Sequence, residues 1–212
     1  MPGLRITSGF WYISIPTGRF RRLLQAERAK RDLRQELLTG ESVAAHWIPP
    51  AYEIAGKGAW PDWMAFWVPL LSERAISALR ELLAPHCEFL SWINEPQHHY
   101  SLLNITSRIA KDEWSCEESS VYGDEYAAAD VISLRDGQIP HVFTLEGYRG
   151  KVFVSDAVAR GSVEHRLTGV MFVDPSIPAL HVPFINSRLR IRQTGFVRRE
   201  DALEKEQRSL VH

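Results

Sequence analysis

Most of the features that announce a function are scarce in this 212-residue chain. Its two cysteines, Cys87 and Cys116, are too few for a disulfide scaffold, so two free thiols in a cytoplasmic protein are expected. No apolar run approaches the roughly 20 residues needed to cross a bilayer. The opening stretch, MPGLRITSGFWYISIP, lacks the apolar core and small-residue cleavage site of a signal peptide. Neither sign of charge is in excess. The 25 Lys and Arg against 26 Asp and Glu leave a net charge of −1, so no global basic field points to nucleic acid or an anionic membrane. A hydrophobic fraction of 45% in a chain of this length suits one domain with a sizeable core.

Catalytic signatures are missing too. There is no Gly-x-Ser-x-Gly elbow and no pair of histidines on a helix with a glutamate between them. Gly147-Tyr148-Arg149-Gly150-Lys151 has the look of a phosphate-loop end, but Val152 stands where Ser or Thr is required. His86, Cys87, His98, His99 and Cys116 supply metal-ligand chemistry without Cys-x-x-Cys spacing. The adjacent His98 and His99 point to opposite faces if they lie on a strand. The expectation is therefore a protein without a cofactor, a metal site or an enzymatic function.

What the chain does contain is organised around Val68–Ile105. Ser72 suits a helix N-cap with Glu73 in the first turn, and Ile76, Leu79 and Leu83 recur at helical spacing until Pro85 ends the helix. Beyond a polar break at Asn94–His99, Tyr100, Leu102 and Asn104 face one way on a strand while Leu103 and Ile105 face the other. Phe10–Ile15 reads as a strand ending at Pro16. Phe20, Leu23, Ala26, Ala29, Leu33 and Leu37 form a helical stripe that Gly40 stops. Its opposite face is basic (Arg21, Arg22, Arg28, Arg31, Arg34), which reads as a solvated surface, since Glu27, Asp32 and Glu36 share the helix. Trp60, Trp63, Phe66 and Trp67 have the spacing of a helical turn capping the core; an exposed aromatic patch is the other reading.

Ile139–Leu145 and Lys151–Val154 read as a hairpin. Ser155-Asp156 opens a short helix through Val163, Gly169 closes that segment, and Val170–Val173 returns as a strand. Arg188–Arg192 resembles an edge strand, and residues 198–212 form a charged tail. The fold class expected is α+β: a single domain over residues 1–197, with a mixed or mostly antiparallel sheet and helices packed beside it.

The sharpest local asymmetry lies between Asp112 and Asp130, with seven acids and no Lys or Arg, interleaved with Trp114, Tyr122 and Tyr126. Two readings fit: a solvated loop, or an acidic surface with aromatic anchors for a basic protein.

Three blocks of the chain together resemble a known family. Leu71, Ser72 and Glu88-Phe89-Leu90 form the first, Tyr100, Leu102-Leu103-Asn104 and Ser115 the second, and Val154-Ser155-Asp156, Thr168-Gly169 and Phe172 the third. In order and spacing they resemble the eleventh immunity-protein family of bacterial polymorphic-toxin systems, over roughly Val68–Asp174. Ser91 stands where that family tends to have proline, and Lys111-Asp112-Glu113 where it has a Leu-Asp pair. The resemblance implies a cytoplasmic protein that binds a cognate secreted antibacterial toxin by stoichiometric occlusion, with no direct contact with nucleic acid or membrane. The setting would be interbacterial competition, by type VI secretion or contact-dependent inhibition. Trp114, Glu117, Glu118, Tyr122, Asp124 and Glu125 are then expected to cover a basic cleft in the toxin. An adaptor that loads an effector for secretion, using the Trp60–Trp67 patch, is the alternative.

Overall fold

The computed structural model describes residues 9–14, 20–25, 33, 37, 39–64, 68–117, 131–135, 139–148, 151–175 and 195–197. For 22–25, 116, 117, 131, 133 and 195–197 it describes the backbone alone. The strands are β1 (Phe10–Ser14), β2 (Arg22–Gln25), β3 (Tyr52–Ala55), β4 (Trp63–Met64), β5 (Leu70–Ser72), β6 (Cys87–Glu95) and β7 (His98–Ile105). They continue as β8 (Arg108–Ile109), β9 (Trp114–Glu117), β10 (Val131–Leu134), β11 (Val142–Leu145), β12 (Phe153–Ser155), β13 (Met171–Val173) and β14 (Gly195–Val197). Helix α1 spans Glu73–Leu83 and α2 spans Asp156–Glu164. The fold is α+β, with mostly antiparallel sheets and packed helices.

A six-stranded sheet has the order β14-β13-β1-β12-β11-β8, and a four-stranded sheet the order β4-β5-β7-β6. The alternation of side chains along each strand sorts the apolar residues into three layers. Trp11 and Ile13 of β1, Val142 of β11, Val154 of β12 and Phe172 of β13 face the inner layer. Their neighbours Phe10, Tyr12, Phe143, Phe153, Met171 and Val173 face an outer layer on the far side of that sheet. The four-stranded sheet does the same. Trp63, Leu71, Leu103 and Ile105 join the inner layer, while Met64, Leu70, Tyr100 and Leu102 join a second outer layer. The inner layer is thus shared between the sheets, where Trp63 meets Phe172 edge-on at 6.3 Å.

Both helices belong to the inner layer. Helix α1 starts because Ser72 accepts a hydrogen bond from the Ala75 amide at 3.2 Å, and it buries Ala75, Ile76, Leu79 and Leu83. Truncating Leu79 or Leu83 to alanine should cost about 2–5 kcal/mol. Helix α2 packs on α1 through Gly161, where an added Cβ would stand 3.1 Å from Leu79 Cδ2. The hairpin of β11 and β12, the helix after Ser155 and the strand after Gly169 all occur where the sequence pattern places them.

Two expected helical segments are strands instead. Arg22–Gln25 lies within the stripe that began at Phe20, yet it pairs antiparallel with Tyr52–Ala55. Non-local pairing has overridden the local helical spacing. Further along, Leu33 and Leu37 are helical and buried in the outer layer of the four-stranded sheet. The helical turn expected at Trp60–Trp67 gives way at Trp63–Met64, which pairs with Leu70–Leu71. A strand sends Trp63 and Met64 to opposite faces, and both are fully buried. Strand β6, which the sequence reading passed over, is the longest in the sheet. Its ladder with β7 shifts register between Ser91 and Ile93, so that consecutive Trp92 and Ile93 share the outer layer.

Among the described residues, no helix is long and apolar enough to cross a membrane. The expected edge strand at Arg188–Arg192 and the charged tail at 198–212 lie outside the described residues.

Candidate functional site

The acidic stretch is described only at its start. Lys111–Glu113 forms a 3₁₀ turn, and β9 follows, paired with β10 in the register Trp114↔Leu134 to Glu117↔Val131. Trp114 is not an outward anchor. It is 6% exposed, packs in the outer layer of the six-stranded sheet with Ile132 and Leu134, and its indole N–H donates to the Glu146 carbonyl at 3.1 Å. Lys111 Nζ lies 3.6 Å from its ring centroid, and the Tyr148 ring meets it edge-on. Its burial has a simple cause: β9 must turn one face to the sheet, and Trp114 is the largest apolar residue on it. The Glu117 side chain and all of Glu118, Tyr122, Asp124 and Glu125 lie outside the described residues.

The metal-ligand types seen in the sequence are scattered. Among the described residues, no group of three or more His, Cys, Asp and Glu could hold a metal ion. The Cys87 thiol donates to the Leu83 carbonyl at 3.2 Å, and burial, with Glu88 nearby, pushes its pKa up to about 12. His98 stacks on Trp60 with ring centroids 4.2 Å apart. His86 and His141 meet edge-on where the two sheets converge, and each Nδ1 is bonded to a serine hydroxyl, Ser107 at 3.0 Å and Ser155 at 2.8 Å. Burial first, then the neighbouring His141, lowers the His86 pKa.

Two carboxylate networks went unpredicted, one around the buried Asp62 and one around the half-buried Glu88. In the first, Asp62 accepts from the Ser72 hydroxyl at 2.9 Å, from Arg74 at 2.9 Å and from the Thr168 amide at 2.8 Å. Arg74 also donates to the His165 carbonyl, so the start of α1 is tied to the turn after α2. Gly169 sits in this clasp at φ +90°, where an added Cβ would be 2.4 Å from the Trp63 carbonyl oxygen.

In the second, Glu88 on β6 accepts from the Ser42 hydroxyl, from the Val43 amide at 2.8 Å, from the Ala44 amide and from Asn104 Nδ2 at 2.8 Å. Burial pushes the Glu88 pKa up, but these donors outweigh it and hold the carboxyl below its usual range. The same Asn104 amide donates to the Glu41 carbonyl at 2.8 Å.

Glu88 is the first of several attachments along one line. Strand β6 is the edge of its sheet, and residues 42–52 run beside it. The Trp47 indole donates to the Ser91 carbonyl at 2.9 Å, and the Trp92 indole donates back to the Pro50 carbonyl at 3.0 Å. Those two rings meet edge-on at 6.0 Å, and the Tyr52 hydroxyl reaches Glu95 at 3.2 Å. The edge is thereby covered by a segment held through side chains, which blocks further strand pairing along it. In the middle of the segment Ile48 is 69% exposed, the largest exposure of any big apolar side chain described. Sequence signals for this surface existed: the indoles of Trp47 and Trp92, the Pro49-Pro50 pair, and the lack of Lys and Arg over residues 35–56 and again over 81–107.

The chain matches no protein-family model, and a search of curated proteins returns no match.

Proposed function

We propose that this is a cytoplasmic immunity protein, which neutralises a cognate antibacterial toxin by stoichiometric occlusion and carries out no catalysis. The observation that carries the reading is where the residues of the resemblance fall. Ser72 and Thr168 belong to the Asp62 clasp, and Glu88 and Asn104 to the clasp that holds residues 42–44. Residues recognised as a pattern in sequence are thus partners across the fold. They stiffen a scaffold, which is what an inhibitor acting by occlusion requires, because a rigid surface gives up little entropy on binding. Glu117, Glu118, Tyr122, Asp124 and Glu125 remain the proposed contact residues of the acidic stretch; Trp114 anchors β9, the strand that ends at Glu117, from inside.

The test is co-expression in a susceptible bacterium with the C-terminal domain encoded by the adjoining upstream gene. That domain alone should stop growth, and this protein should restore it. A harmless neighbour, or killing that persists, would overturn the reading in favour of an effector-loading adaptor.

A further inference from the structure

Two histidines stand where the chain passes from one sheet to the other. His86 lies in the turn between α1 and β6, and His141 immediately precedes β11. Both are half-exposed, and their rings meet edge-on with centroids 5.7 Å apart. Their backbones are tied down. The His86 carbonyl accepts from the Thr106 and Ser107 amides at 3.0 and 3.2 Å, on the link from β7 in the four-stranded sheet to β8 in the six-stranded one. The His141 carbonyl accepts from the Ser155 amide at 3.0 Å.

The two side chains are held alike. Each Nδ1 is bonded to a serine hydroxyl, Ser107 at 3.0 Å for His86 and Ser155 at 2.8 Å for His141. Neither Nε2 has a hydrogen-bond partner among the described residues. Ser155 occupies the N-cap position of α2, where a serine hydroxyl ordinarily accepts an amide of the first turn, as Ser72 does for α1. It makes no capping bond, and its hydroxyl goes to His141 instead. A stabilising cap is thus given up for a bond that fixes an imidazole. An imidazole that donates its Nδ1–H to an oxygen keeps a free lone pair at Nε2, the form in which histidine ligates a metal.

The spacing of the rings fits a single ion. Bonds of about 2.0–2.1 Å from one ion to two Nε2 atoms, at tetrahedral or somewhat wider angles, put the ring centroids about 5–6 Å apart. Imidazole ligands suit zinc, copper and nickel, whereas magnesium and calcium take oxygen. We propose that His86 and His141 form a two-histidine site for a divalent transition-metal ion, which bridges the seam between the two sheets, with Ser107 and Ser155 as positioning residues. No third His, Cys, Asp or Glu completes a set with them among the described residues, so water fills the remaining positions of the ion. The site stands independently of the immunity reading.

Zinc chloride is titrated calorimetrically into the full chain near neutral pH, in a buffer that does not chelate. One ion should bind per chain, and about 1 mM zinc should raise the melting temperature by about 4 °C or more. His86→Ala and His141→Ala should each weaken binding by about tenfold or more and remove the thermal shift. Ser155→Ala keeps both ligands and should weaken binding by about tenfold, the usual effect of losing a group that orients a ligand. His98→Ala, at the ring stacked on Trp60, should bind as wild type. Melts without zinc verify that the variants fold. A measurement on the wild type needs no variant: paramagnetic copper should broaden the resonances around His86 and His141 and spare those of His98 and His99. Absence of binding overturns the site. Binding that survives both His→Ala substitutions, or broadening centred away from the pair, puts the ion elsewhere and overturns it too. Loss with only one of the two substitutions shows a single-histidine contact, and the two-histidine site falls.

Discussion

Two outer faces of the molecule invite comparison. Each sheet carries an attached segment on the side away from the shared inner layer: β9 and β10 on the six-stranded sheet, and residues 42–52 on the edge of the four-stranded one. In composition they look alike: each contains a tryptophan and no Lys or Arg, with acids at or beside its ends, Glu113 and Glu117 for one and Glu41 and Glu53 for the other. In structure they differ in what the apolar residue does. Trp114 turns inward and is 6% exposed, while Ile48 turns outward and is 69% exposed. The reason lies in how each segment is attached. A paired strand lying on a sheet must bury one face, so its tryptophan becomes core. A segment clipped along a strand edge by side-chain bonds need not bury every apolar residue. Acidity with interleaved aromatics therefore marks a candidate surface only once the mode of attachment is known.

Removing the inward anchor should have the largest effect. Trp114→Ala deletes a buried indole together with its bond to Glu146, and should destabilise the fold by about 3–5 kcal/mol in urea unfolding. A loss below about 0.5 kcal/mol would mean that Trp114 is a surface residue after all and would restore it as an interface anchor.

Next comes Glu88→Gln, which keeps the shape but weakens the acceptor for Ser42, Val43 and Ala44. A loss of about 1–2 kcal/mol is expected, together with faster hydrogen exchange at the Val43 and Ala44 amides and unchanged exchange in β9. Faster exchange on both faces would show that the two attachments are coupled, and the comparison would fail.

Acidification should act on the same clip. Because the folded pKa of Glu88 lies below its ordinary 4.5, its contribution to stability is fully present above that value and is lost as pH falls through the folded pKa. His86 works at higher pH. Its folded pKa is below the ordinary 6.5, so the unfolded chain takes up the proton first, and stability declines as pH falls through 6.5 toward the folded value. Chemical denaturation between pH 8 and pH 3 should show the histidine step first and the glutamate step later. His86→Gln should remove only the first. The smallest effect is expected for Lys111→Met, which removes the cation over Trp114 and should cost about 0.5–1 kcal/mol.

Legibility in the sequence followed the range of the interactions. Local signals held: Ser72 as N-cap, the Ile76–Leu79–Leu83 stripe and the stop before Pro85 all describe α1. The division of Tyr100 and Leu102 from Leu103 and Ile105 also held, because strand alternation requires no knowledge of the partner strand. Arg22–Gln25 misled, since helical spacing of apolar residues says nothing about a strand 27 or more positions away (as from Gln25 to Tyr52) that will capture the backbone; Trp63–Met64 misled because aromatic spacing did not reveal the antiparallel partner at Leu70–Leu71. The segment along the edge of β6 was harder still to read. Its Trp and Pro residues were visible, but nothing local says that Glu88 will receive the amides of Val43 and Ala44.

By itself, then, the sequence determined the α+β class, the principal helix, the alternating strands and the absence of charge excess, all of which follow from local periodicity and composition. Only the tertiary structure decided that Asp62 and Glu88 would clasp distant segments, that Trp114 would be core and that Ile48 would remain outside. Burial and polar satisfaction belong to contacts between elements, and no single segment carries that information.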